Sequence, residues 1–192
     1  MTVTLPLPGD LLTVEEYVAL GDDETLRWSE LQEGNLVVSP SPGWRHQRAC
    51  LRLAVQLDAQ LSGGLVLVQD IDVDLQLAAA HEPGTVRQPD LVVVSAAEAE
   101  RVERTGGILR ASGVVLVAEV LAPGDPRTDR IIKRAEYADA GIGHYWLVDL
   151  DTGPSLTRCT LDTDGYTDDG PRTGVVTGEQ PFGYELDLTP LI

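Results

Sequence analysis

Apolar positions recur along the chain with two different periods, and the points where the period changes mark its elements. Residues 113–150, GVVLVAEVLAPGDPRTDRIIKRAEYADAGIGHYWLVDL, read as strand, turn, helix, strand. The apolar run from Val114 to Val117 ends in a single acid, Glu119. A Pro/Gly turn follows, with Asp125 as a candidate cap and Pro126 in the first helical turn. Gly141 closes the helix, and a second apolar strand runs from His144 to Leu150. Helical spacing places Ile131, Ile132, Ala135 and Ala138 on the buried side. Asp129, Lys133 and Tyr137, four residues apart, share another side.

The same reading covers the rest of the chain. Residues 1–12 read as an extended lead-in. Thr13 and Glu16 form a capping-box pattern that starts a short helix to about Leu20. Gly21 and the acids after it end that helix. Trp28 to Val38 reads as a hairpin with Glu30 in its first strand and a turn at 33–35. The stiff SPSP connector leads to a helix over 44–61, with Cys50, Leu53, Ala54, Leu57 and Leu61 on one apolar face, stopped by Gly63 and Gly64. Residues 65–77 alternate: Ile71, Val73, Leu75 and Leu77 on one face, Asp70, Asp72, Asp74 and Gln76 on the other. The acidic row reads as a solvated strand face. A loop over 78–88 leads to Pro89 and Asp90, which open a strand, Leu91 to Val94, whose unbroken apolar run implies burial on both faces. A short surface helix over 96–104 and a Gly turn follow. From Ser155 onward, short strands alternate with turns, the last strand lying at about 183–188.

The length of 192 residues suits one domain, and 43% hydrophobic residues suffice for a sizeable core. The net charge of -17 opposes indiscriminate binding to a phosphate backbone unless a local basic patch or metal ions offset it. Arg45, Arg48 and Arg52, on one helix beside His46, are the candidate patch. Cys50 and Cys159 are far apart and outside any CxxC pattern, so free buried thiols are favoured over a disulfide. No signal-peptide pattern and no apolar span of membrane length are visible, which leaves the cytoplasm as the expected location.

The chemistry centres on Asp90 and Glu119, each set against a long apolar strand. If those strands are neighbours, the two carboxylates converge, and they repel unless a cation intervenes. A hard divalent ion, Mg²⁺ or Mn²⁺, suits such a pair and would activate a bound water and a phosphoryl oxygen. The alternative is two separately paired structural acids. Lys133 is the only lysine in a chain that otherwise uses arginine, and a compact ammonium is not interchangeable with a guanidinium.

Three stretches, SELQEGNLVVSPSP with RHQR after it, QPDLVVV, and LVAEVLAPGDPRTDRIIKRAEYADAGIGHYWLVDL, resemble the Uma2-like (DUF820) family of the PD-(D/E)XK nuclease superfamily. Together they span roughly residues 13–151. The resemblance implies an α/β, restriction-endonuclease-like fold: a mixed central sheet flanked by helices, here followed by the β-rich tail. It implies a divalent-metal nuclease site in which Asp90 matches the Asp of the PD motif and Glu119 the acid of the (D/E)XK strand, both metal ligands. The motif's lysine position is Leu121, and Lys133 matches the lysine that Uma2-like sequences carry on the following helix. Glu30 matches the family's early glutamate, a further ligand or base, and His46 its helix-start histidine, with a substrate-side role set against a helix-start hydrogen bond. Asp129 and Tyr137 also fit the pattern, although core packing is the favoured reading of Tyr137, and Trp146 reads as packing. Ala122 stands where the family usually has serine, and Asn35 where it often has an acid, which leaves the contacts of that loop open.

The expected activity is therefore metal-dependent endonucleolytic hydrolysis of DNA. Asp90, Glu119 and Glu30 would hold the ion, Lys133 would position the attacking water, and His46, Arg45 and Arg48 would face the substrate. The competing reading is a non-catalytic interaction protein on the same fold. A metal-free glycosidase ranks last, since aromatic residues to stack a sugar ring make up only 5% of the chain. A homodimer through an edge strand of the tail is a further expectation.

Overall fold

The structure, a computed structural model, describes residues 3–4, 11–21, 26–121 and 128–192. The expected lead-in lies mostly outside these residues, as do the acids after Gly21, Ala122, Asp125 and Pro126.

After a two-residue strand, β1 (Val3–Thr4), the capping box forms as its residues require. The Thr13 hydroxyl accepts from the Glu16 amide at 3.2 Å and the Glu16 carboxylate accepts from the Thr13 amide at 2.8 Å, which starts α1 (Val14–Ala19). The hairpin is β2 (Ser29–Gln32) and β3 (Asn35–Val38). Its turn needs positive φ at Glu33 and Gly34 (46° and 81°), and a Cβ on Gly34 would lie 2.6 Å from that of Leu11. Helix α2 (Trp44–Asp58) buries Ala49, Cys50, Leu53, Ala54 and Leu57.

The strand expected over 65–77 is two strands in two sheets. β4 (Leu65–Gln69) ends where Asp70 turns left-handed (φ 48°), and β5 (Val73–Asp74) starts again elsewhere. Asp is among the residues that tolerate this conformation, so the break falls where the alternation gave no warning. Nor is the acidic row a solvated face, since Asp70 and Asp72 are half-buried and the Tyr17 hydroxyl donates to Asp72 at 3.3 Å. The stretch expected as loop contains β6 (Val86–Arg87). Then come β7 (Leu91–Ser95), α3 (Ala96–Thr105), β8 (Leu109–Arg110) and β9 (Val114–Val120). A π-helical turn over Thr128–Lys133 leads into α4 (Arg134–Asp139). The chain continues as β10 (His144–Asp149), β11 (Ser155–Asp162), β12 (Gly165–Asp168), β13 (Arg172–Thr173), β14 (Val175–Gly178) and β15 (Tyr184–Asp187).

Two mixed sheets carry the fold. One runs β1-β3-β2-β6-β5-β8; the other runs β12-β11-β10-β9-β7-β4, with β13 also on β11. β14 and β15 form a separate hairpin. β9 and β10 are parallel, and α4 lies in the crossover between them. β7 is buried on both faces, as its apolar run requires. Leu91 and Val93 join the core under α2 and the C-terminal hairpin, while Val92 and Val94 join the core that also holds Tyr137 and Tyr145. The cysteines are free and buried. Among the described residues no helix is long and apolar enough to cross a membrane.

The helix expected to bury its isoleucines does the reverse at one of them. Ile131 is 61% exposed and Ala135 is exposed, while Lys133 and Tyr137 are buried. The polar side of the helix faces inward because acids wait for it there.

Candidate active site

Strand register brings the acids together. β7 and β9 pair antiparallel with Leu91 opposite Ala118, so Asp90 and Glu119 occupy the next facing positions. The Asp90 amide donates to Glu119 Oε2 at 3.3 Å, and the Val120 amide donates to Asp90 Oδ2 at 2.7 Å. In the other sheet β2 pairs β6 with Leu31 opposite Val86, which sets Glu30 against Arg87.

Lys133 closes the gap between the sheets. Its Nζ lies 2.8 Å from Glu119 Oε1, 3.2 Å from Glu30 Oε1 and 3.6 Å from Asp129 Oδ1. Tyr137, one helical turn on, donates to the same Glu119 Oε1 at 3.0 Å. Its packing is therefore also a polar contact with the site. Asp129 stands near the head of this helical segment, and the Tyr145 hydroxyl donates to its backbone carbonyl at 3.0 Å.

Arg87 is the residue that pattern reading missed. It is 1% exposed and forks onto Glu136, with Nε and Nη2 each 2.7 Å from a carboxylate oxygen, while Nη1 donates to Glu30 Oε2 at 2.8 Å. The Gln88 amide donates to Glu30 Oε1 at 3.1 Å, so both oxygens of Glu30 are engaged. A two-residue strand has no periodicity to read. The available signal was a lone arginine two residues before the Pro-Asp pair.

The α2 residues divide into two groups. Arg45 and Arg48 are exposed on the helix surface with Trp44, while Arg52 is half-buried. His46 turns inward, its Nε2 3.1 Å from Asp90 Oδ2 and its Nδ1 3.5 Å from Cys50 Sγ.

The electrostatics follow from burial. Burial pushes the Glu119 carboxyl well up, the Asp90 and Asp129 charges add to this, and Lys133 only partly opposes it. Asp129 is also raised, by burial first. Burial would raise Glu30 too, but Lys133 and Arg87 outweigh it and hold Glu30 below the usual range. Burial alone would strip Lys133 of its proton, yet Glu119, Glu30 and Asp129 hold it protonated far above an ordinary lysine. For His46, burial opposes protonation and the Asp90 hydrogen bond and charge prevail, raising it. Arg87 is committed to Glu136 and Glu30 and His46 to Asp90, so the Lys133 ammonium serves Glu119, Glu30 and Asp129 together, and five acids gather around three basic side chains. Hard oxygen donors short of a cation fit a divalent ion.

A family model described as "Uma2: Putative restriction endonuclease" matches residues 14–190. The chain belongs to the Uma2 family. Among solved structures, this Uma2 chain is similar to one described as "a putative nuclease belonging to DUF820" from Anabaena variabilis ATCC 29413. The two are 16% identical, the match covers 94% of this chain and 97% of that one, and the TM-score is 0.69. At that identity the likeness shows the fold. No curated protein matches the chain. Membership accounts for the restriction-endonuclease-like mixed sheet.

Proposed function

We propose that the protein is a divalent-metal-dependent endodeoxyribonuclease. The observation that carries this reading is the facing pair Asp90 and Glu119 with the Lys133 ammonium 2.8 Å from the second acid. Asp90 and Glu119 would hold Mg²⁺ or Mn²⁺; when bound, the ion supplies a Lewis acid for the scissile phosphate. Glu30 already lies between two cations, Arg87 at 2.8 Å and Lys133 at 3.2 Å, so we assign it to fixing Lys133 rather than to the ion. Lys133 presents an N–H bond to the attacking water and to the charge developing on the phosphoryl oxygens. The water oxygen bonds to phosphorus as the bond to the leaving sugar oxygen breaks; the water gives up a proton to solvent, and the leaving oxygen takes one from solvent. Tyr137 keeps Glu119 turned toward the reacting centre. His46 fixes the Asp90 carboxylate, while exposed Arg45 and Arg48 meet the DNA backbone. The reaction would take place in the cytoplasm.

The chain's net charge favours a second reading, a non-catalytic interaction protein on this fold. The two separate in one assay: supercoiled plasmid with millimolar Mg²⁺ or Mn²⁺, wild type beside Asp90→Asn. The nuclease reading expects metal-dependent nicking that EDTA stops and that Asp90→Asn lowers at least about 100-fold, the scale of losing one charge-stabilising group. Equal nicking by both proteins, or none by either, overturns it. A homodimer through the β12 edge is tested by light scattering, where a monomer mass rejects it.

A further inference from the structure

On the α2 side of Asp90, the helix delivers two softer donors. His46 and Cys50 are one helical turn apart, with Cys50 Sγ 3.5 Å from His46 Nδ1 and His46 Nε2 3.1 Å from Asp90 Oδ2. One donor atom from each of the three lies within 4.8 Å of the other two. A tetrahedral zinc centre, with Zn–S about 2.3 Å and Zn–N about 2.0 Å, sets sulfur and nitrogen about 3.5 Å apart. The Cys50–His46 separation has that value at Nδ1, whereas Asp90 faces Nε2 on the other edge of the ring, so gathering all three donors on one ion takes a turn of the His46 ring that exchanges its Asp90 contact for the metal.

We propose that His46, Cys50 and Asp90 form a second metal site, selective for Zn²⁺ over hard ions, with water completing the tetrahedron. Thiolate and imidazole donors suit zinc, whereas Mg²⁺ and Mn²⁺ prefer oxygen. A nucleophilic role for the same Cys–His–Asp row is ruled out by its surroundings. Cys50 is buried, and burial together with Asp90, Asp70 and Glu119 pushes its thiol far up. Zinc overcomes this by direct coordination: the Zn–S bond forms and the thiol proton leaves to solvent. Zinc binding does not depend on the nuclease reading. Its consequence does: a zinc ion on Asp90 takes a ligand from the hard-metal site, so zinc acts as an inhibitor.

The test uses the full chain and Co²⁺ as a spectroscopic stand-in. The site predicts a thiolate-to-Co²⁺ charge-transfer absorption that Zn²⁺ abolishes. Cys50→Ser and Cys50→Ala should lose the band and bind Zn²⁺ at least about 100-fold more weakly, the upper end of what even outer-shell changes cost. Circular dichroism checks that both variants are folded, and the alanine guards against failure of the buried serine. No thiolate band at millimolar Co²⁺, or zinc affinity unchanged in a folded Cys50 variant, overturns the proposal. Mn²⁺ calorimetry separates the two readings. Mn²⁺ binding retained in Cys50→Ala but lost in Glu119→Gln places the hard ion elsewhere. A thiolate band without any Mn²⁺ binding sinks the nuclease reading and leaves the zinc site standing.

Discussion

Lys133→Met keeps the length and apolar stem of the side chain and removes only the ammonium. Lys133 is 7% exposed, and its ammonium sits within 3.6 Å of Glu119, Glu30 and Asp129, which gather around it. Removing one partner of a buried ion pair leaves the other uncompensated, at about 3–5 kcal/mol. For a chain of this size each kcal/mol moves the melting temperature by about 2–4 °C, so the variant should melt about 6–20 °C lower. Urea unfolding followed by circular dichroism measures the loss directly, and an unchanged slope would show that the folded and unfolded ensembles are otherwise alike. A second substitution checks the cause. Glu119→Gln in the Lys133→Met background removes the buried carboxyl left without its partner and should recover about 1–3 kcal/mol, a coupling typical of contacting groups. A Lys133→Met variant within about 0.5 kcal/mol of wild type would behave like a surface change and would refute the buried-ammonium account.

Arg87→Lys keeps the charge but loses the fork onto Glu136 and Glu30. Unfolding experiments should find it about 2–4 kcal/mol less stable, and a neutral result would mean the fork adds nothing. Away from the site, the Glu98 carboxylate accepts from Arg101 at 2.6 and 2.8 Å and from the Arg110 amide at 2.8 Å. Arg101 first, then the Arg110 amide, hold its pKa below the usual glutamate value. A lowered folded pKa means the stabilisation is present above the unfolded value, about 4.3, and is lost as pH falls through the folded one. Glu98→Gln should therefore cost about 1.5–3 kcal/mol at pH 7. The gap to wild type should narrow on acidification below about pH 4, and a gap constant with pH would contradict this.

Some of this molecule could be read from residue order alone. β7 declares itself because burial on both faces requires an unbroken apolar run, and α1 because Thr13 and Glu16 cap each other at a fixed spacing. Asp90 and Glu119 were legible because a carboxylate ending a buried strand needs a reason. Three features were not legible, each for its own reason. The break at Asp70 depends on one residue's φ, which alternation does not encode. The inward face of α4 is polar, so a rule that buries isoleucine points the helix the wrong way; only the wait of Glu119 and Glu30 for a cation explains Lys133 and Tyr137 inside. Arg87 finds Glu30 through a pairing between strands 57 residues apart in sequence, and nothing local in the chain announces it. For His46 a helix-start hydrogen bond and a substrate-side role are both open from the sequence, and the structure adds contacts with Asp90 and Cys50, across the sheet and along its own helix.

A crystal soaked in Mn²⁺ tests the account most directly. It predicts an anomalous peak shared by the Asp90 and Glu119 carboxylates, with Lys133 still against Glu119. A peak elsewhere, or none at millimolar Mn²⁺ with both carboxylates ordered, would contradict it.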